Sequence, residues 1–241
     1  MDESCEKHLI KGARDMGIIL DQRQVKQFSI YYETLIKWNE KVNITRITEG
    51  KDIIVDHFLD SIGSAGMVEF TRGTSICDIG SGAGFPGIPL KIVFPRVNLT
   101  LIDSKRKSIT FLNKLIRELH LKNVCAFNGR AEELAHEEEH REKYDVVLSR
   151  AVAPLQILVE LCFPFVSQSG YFLAYKGKKV WEEVEEAEKG IGILGGTGCR
   201  VEQLKLPFSH KERYIVLIKK EGITPGKFPR RPGVPHKKPL D

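Results

Sequence analysis

The feature that most restricts this chain is the stretch Cys77-Asp78-Ile79-Gly80-Ser81-Gly82-Ala83-Gly84-Phe85-Pro86-Gly87, set between the short apolar run TSIC and the apolar segment IPLKIVF. A short apolar run ahead of a turn reads as a buried strand, and the segment after the turn as a helix. Glycines let the chain turn tightly and leave bare backbone against a ligand, while a helix N-terminus adds unsatisfied N–H groups. Pro86 suits the first helical turn, where its missing N–H costs nothing. Strand, glycine turn and helix in this order form the unit of a parallel α/β sheet, which binds its ligands at the carboxyl ends of the strands.

The rest of the chain repeats the pattern. VNLTLID, NVCAFNG, YDVVLSR and GYFLAYKG read as strands, and SKRKSITFLNKLIRELH, RAEELAHEEEH, PLQILVELCFPF and KVWEEVEEAEKG as the helices between and after them. Such alternation predicts a parallel sheet covered by helices on both faces. VEQLKLPF and ERYIVLIKK have no helix between them and predict an antiparallel hairpin at one edge, an ending typical of the methyltransferase version of this architecture. The predicted fold is α/β, Rossmann-like with a mostly parallel seven-stranded sheet, an arrangement similar to that of class I S-adenosylmethionine methyltransferases, with a small helical N-terminal segment. Residues 1–70 form that segment, 71–220 the cofactor-binding domain and 221–241 a tail. In the first part Asp21 is a good N-cap, and Val25, Phe28, Tyr32, Leu35, Ile36 and Trp38 follow at helical spacing as a core stripe. KDIIVDHFLDSIGSAG resumes as a shorter amphipathic helix.

Composition narrows the setting. The five cysteines are scattered without a CxxC pair, which argues against a disulfide framework or structural zinc, and no metal is expected. Cys77 and Cys125 lie in apolar runs and read as buried thiols. The opening MDESCEKHLIKGARD lacks the apolar stretch of a signal peptide and no run is long enough to span a membrane, so a cytoplasmic location is expected; a monomer is expected as well. The net charge of +5 resides wholly in residues 219–241, where seven Lys and Arg face two acidic residues; five of the eleven prolines lie there too. That composition predicts an extended arm, separate from the cofactor site. Arg230 and Arg231 would meet phosphate backbone, or the arm is simply solvated. The acidic run Glu132 to Glu142 reads as a solvated helix face, and Trp181 as packing.

The glycine loop by itself leaves two cofactors open. Gly82-x-Gly84-x-x-Gly87 satisfies the dinucleotide fingerprint, but only as a weak match. Asp78, directly before the glycines, would repel a pyrophosphate and suits a cofactor with a sulfonium and an α-ammonium group. The next strand ends at Asp103, nineteen residues beyond Gly84, where a carboxylate accepts from ribose hydroxyls of either cofactor. The fourth strand tip, Ser149-Arg150-Ala151-Val152-Ala153-Pro154, lacks the (N/D)PP(Y/F) signature of exocyclic-amine methylation and the Pro-Cys of pyrimidine C5 alkylation. A nucleophile with a free lone pair, such as a guanine ring nitrogen, needs positioning more than a general base. Arg150 then holds a cofactor carboxylate or a phosphate, or is an ordinary surface arginine. His57 would stack on a base or sit half-buried in a helix; Lys176 and Arg46 would meet RNA backbone or only solvent.

At these residues the chain resembles the RsmG (GidB) family, bacterial methyltransferases of guanine N7 in 16S ribosomal RNA. The resemblance rests on Asn43-Ile44-Thr45-Arg46, His57-Phe58-Leu59-Asp60-Ser61, the loop from Asp78 to Leu90, Asp103-Ser104, Ser149-Arg150-Ala151, Lys176-Gly177 and Glu212-Arg213-Tyr214. Phe228-Pro229-Arg230-Arg231-Pro232-Gly233 is similar to the tail of part of the family. The resemblance implies S-adenosyl-L-methionine as cofactor, contacts to it at Gly80, Phe85, Ala131, Glu132 and Arg150, and ribosomal RNA or the 30S particle as partner.

Overall fold

The computed structural model describes residues 1–40, 42, 44–45 and 50–240; Asn43 and Arg46, named above, lie outside them. The chain starts with helices α1 (Glu3–Asp15) and α2 (Gln22–Asn39). Asp21 caps α2, and a reciprocal bond from its backbone N–H to the Gln24 side chain completes a capping box. A continuous helix follows as α3 (Gly50–Asp52), a π-wound stretch Ile53–Leu59 and α4 (Asp60–Ile62). π-wound insertions are rare and cluster at functional sites, and this one carries Asp56 and His57.

The strands are β1 (Ser75–Ile79), β2 (Asn98–Asp103), β3 (Val124–Asn128), β4 (Tyr144–Arg150), β5 (Val166–Lys176), β6 (Gly196–Leu204) and β7 (Arg213–Lys220). Between them lie α5 (Gly87–Val93), α6 (Arg106–Glu118), α7 (Ala131–Leu134), α8 (Leu155–Cys162) and α9 (Val180–Ile193); α10 (Val234–Lys237) follows β7. Among the described residues one seven-stranded sheet forms in the order β3-β2-β1-β4-β5-β7-β6. β1 to β5 pair in parallel, and β7 inserts antiparallel between β5 and β6. The predicted hairpin therefore closes one edge, with β6 outermost.

Two apolar layers cover the sheet. On one face α1, α2 and the helix around Phe58 pack with α5 and α6 over Leu99, Leu101 and Leu148. On the other, α8 and α9 pack over Val147, Phe172 and Val216. The N-terminal helices thus share a core with the sheet. Within α2 the tyrosine that is wholly buried is Tyr31, not the expected Tyr32.

Several local expectations are corrected. The acidic segment forms only the short α7 and then turns, with Glu132 buried rather than on a solvated face. Cys125 is exposed because β3 is the edge strand. Trp181 is 62% exposed and touches Tyr214 edge-on at 6.5 Å. The tail is not a free extended arm. Phe228, Pro229 and Pro235 are buried, and the chain folds back across α7 and α8.

Candidate active site

A cleft of about 450 Å³ opens at the carboxyl ends of β1, β2, β3 and β4. This is where an open α/β sheet holds its ligand, because the strand order reverses between β1 and β4. Its floor is the glycine loop. Gly80, Gly82 and Gly84 adopt φ of 74°, 55° and 95°, the left-handed region that disfavours a side chain. At Gly80 a Cβ would run into the Val152 side chain at 2.3 Å. The loop is pinned to β2, since the N–H groups of Gly80 and Ser81 both donate to the Ile102 carbonyl.

Asp103 stands on the cleft wall at the end of β2. Its Oδ2 accepts from the Gly82 N–H and its Oδ1 from the Lys105 N–H, each at 2.8 Å. Two backbone donors fix the carboxylate while it stays at the cleft surface, an arrangement that suits a diol with two O–H donors. Farther toward β3 the wall holds Ala131 and Glu132.

Asp78 is placed differently from the expectation. Its side chain has no exposure and lies under the loop, where Oδ2 accepts from the Gly87 N–H at 2.9 Å. The cleft wall does not include it. Burial pushes its carboxyl up to about 7. Asp78 therefore ties β1 to the start of α5 rather than presenting a charge to the ligand.

The opposite end of the cleft is built around Arg150, at the tip of β4. Nη1 donates to the Asp60 carboxylate at 2.5 Å and to the Asp56 carbonyl at 3.1 Å, and Nη2 to His57 Nδ1 at 2.9 Å. The guanidinium lies over the Phe85 ring, 5.1 Å from its centre. Three of its five N–H bonds are so used, and Arg150 lines the cleft. Arginine only donates, so His57 Nδ1 accepts and the ring proton resides on Nε2, which donates to the Thr45 hydroxyl at 2.8 Å. Burial, with the neighbouring Arg150 charge, lowers the His57 pKa to about 3, so the imidazole is neutral. Its ring stacks on Phe85 at 4.3 Å rather than standing open to a base. The motif His57 to Ser61 thus serves Arg150. Beyond β4, Ala151 adopts φ 58°, strained backbone of the kind found at functional sites.

Tyr31 supports the site from beneath the loop, a role that the sequence reading missed. Its hydroxyl donates to the Ala83 carbonyl at 2.5 Å and its ring stacks on Phe85 at 5.2 Å. Helical spacing marks a face, not which of two adjacent tyrosines centres it. Lys176 is also corrected: it is buried, pairs with Glu183 at 2.6 Å and donates to the Ala153 carbonyl. Arg230 lies against Glu160 by two prongs, Nε to Oε1 at 2.9 Å and Nη2 to Oε2 at 2.6 Å. Neither is set out as a phosphate ligand, whereas Arg231 is exposed.

The comparisons with known proteins agree with this geometry. The family model described as GidB, rRNA small subunit methyltransferase G, matches residues 24–216. The chain belongs to that family. It is 48% identical to "Ribosomal RNA small subunit methyltransferase G" of Bacillus cytotoxicus over 94% of this chain and 95% of that protein. With the protein of the same name from Bacillus licheniformis it shares 46% identity over 95% and 96%. Among solved structures it is similar to M. jannaschii TYW2 in complex with AdoMet (TM-score 0.52, 19% identity, 68% of this chain and 77% of that one). It is also similar to a putative O-methyltransferase from Klebsiella pneumoniae (TM-score 0.57, 10% identity, 80% and 90%). At such identities the likeness speaks for the fold, which is that of a class I methyltransferase.

Proposed function

We propose that this chain transfers the methyl group of S-adenosylmethionine to N7 of a guanine in small-subunit ribosomal RNA, acting as a cytoplasmic monomer. The observation that carries the reading is one cleft with a fixed ribose-accepting carboxylate, Asp103, at one part and an anchored guanidinium, Arg150, at another. The chain's residues fit the cofactor. The glycine loop brings bare backbone to the cleft, and the ideal Cβ position of Gly82 meets nothing closer than 3.9 Å, leaving room for a ligand. When bound, the cofactor supplies an electrophilic methyl group and its own leaving group.

The protein's part is to bind and orient. Asp103 receives the ribose hydroxyls, with Ala131 and Glu132 toward the base. Arg150 presents its remaining N–H bonds to a carboxylate or to the RNA. Phe85, clamped between Tyr31 and His57, backs the guanidinium and limits its rotation. His57 is neutral with both ring nitrogens engaged, so it does not stand ready as a base. Direct attack by a ring nitrogen requires none, because N7 carries no proton to remove.

The test is a comparison of small-subunit ribosomal RNA from cells with and without the gene, with borohydride–aniline cleavage reporting N7-methylguanine. One site should lose cleavage in the deletion and regain it with the wild-type chain but not with Arg150→Ala. Identical cleavage patterns, or a product methylated on carbon or an exocyclic amine, would refute the reading.

A further inference from the structure

From the last residue of β7 onward the chain is tied down at successive points along its length. Lys220, wholly buried, pairs with Glu142 at 2.6 Å and donates to the Phe163 and Val166 carbonyls. Arg141 then grips the strap by its backbone, with Nη2 donating to the Thr224 carbonyl and Nη1 to the Phe228 carbonyl, each at 2.9 Å. His136 donates to the Pro229 carbonyl at 2.8 Å. Next comes the Arg230 fork on Glu160, a carboxylate with no solvent exposure. A planar guanidinium matches a carboxylate through two parallel bonds, which sets direction as well as distance.

The strap then turns into the cleft. Gly233, at φ 82°, donates its N–H to Glu132 Oε1 at 3.2 Å. The single turn of α10 brings His236 to the cleft wall, together with Gly129, Arg130 and Ala131. In the sheet order β3 and β4 flank the β2-β1 pair, so Glu132 and Arg150 mark opposite ends of the cleft. The strap lies wholly beyond the stretch that the family model matches.

We infer that the end of the strap, residues 233–238, is part of the ligand site, closing its β3 end, and that His236 contacts the adenine of S-adenosylmethionine. The inference rests on the cofactor reading above. A ligand whose ribose faces Asp103 on β2 and whose methyl group lies toward Arg150 on β4 has only one direction left for its base, toward β3. That is where the strap enters. An imidazole offers an aromatic base both a flat face and a hydrogen-bonding edge, and Glu132 couples the contact to the strap through Gly233. The tail is thereby a binding element rather than a separate arm.

Linkage requires reciprocity: if the strap raises affinity for the ligand, the ligand must hold the strap by the same factor. Titration calorimetry with S-adenosylmethionine on the full chain is compared with His236→Ala and, as a control on the strap away from the cleft, Lys227→Ala. Amide hydrogen exchange of residues 233–238 is followed with and without ligand. His236→Ala should bind about 5- to 20-fold more weakly, the lower range for loss of one aromatic–base contact, since His236 is exposed elsewhere. Lys227→Ala should bind as wild type, and the ligand should slow exchange at 233–238. Wild-type binding with unchanged affinity in His236→Ala and unchanged exchange in the strap would overturn this inference and leave the cofactor reading standing. No binding by the wild-type chain would overturn both.

Discussion

Replacing Asp78 by Asn isolates the cost of burying a charge under the cofactor loop. The carboxyl ionises at 3.8 ordinarily and, with no exposure in the fold, at about 7. Between those values the folded state holds a proton that the unfolded chain has released, so this group makes stability decline as pH rises through the window and leaves it level above. At ~1.4 kcal/mol per pH unit, the whole decline is about 4 kcal/mol. His57 acts in the opposite sense. Its pKa is lowered from 6.5 to about 3, so the fold gains from it as pH rises between those values. Only the difference between the two proteins is therefore diagnostic. Asn keeps an acceptor for the Gly87 N–H and cannot ionise. Urea denaturation midpoints, compared at equal slope, should show Asp78→Asn gaining on wild type by about 3.5 kcal/mol from pH 4.5 to 8. A difference that stays constant over that range would refute the burial argument.

Other outcomes follow from the same contacts. Asp103→Ala should weaken S-adenosylmethionine binding by roughly 1.5–3 kcal/mol, the scale for hydrogen bonds to a charged group, measured by calorimetry on the folded variant; unchanged affinity would remove the ribose assignment. Arg150→Ala should lower turnover by ~100-fold or more, since misplacement alone costs that much. Arg150→Lys should not rescue it, because an ammonium cannot span Asp60 and His57 as the planar fork does. Arg230→Ala strands the buried Glu160 carboxylate and should cost about 3–5 kcal/mol of folding stability; Arg230→Ala combined with Glu160→Leu should recover most of it, as denaturation midpoints would report.

What the sequence determined by itself was local in its physics. Alternating strand and helix periods, the Asp21 cap and the glycine turn depend on neighbours a few residues apart, and they were enough for the sheet, the helices and the position of the cleft. That Asp103 and Arg150 would line the cleft was legible because a strand tip in such a sheet faces the crevice whatever surrounds it. Tertiary structure decided which charges were spent inside the molecule. Arg230 reads as a free cation until Glu160, seventy residues away, is found buried beside it. Asp78 reads as a ligand contact until its carboxylate is seen beneath the loop on the Gly87 N–H. His57 reads equally as a ring for stacking on a base and as a half-buried helix residue until Arg150 and Phe85 are found to occupy it. A buried charge must find a partner, and a composition rich in proline and lysine does not say which carboxylates lie within reach. Only the packed chain brings those groups together, and the same packing carries His236 to the cleft wall.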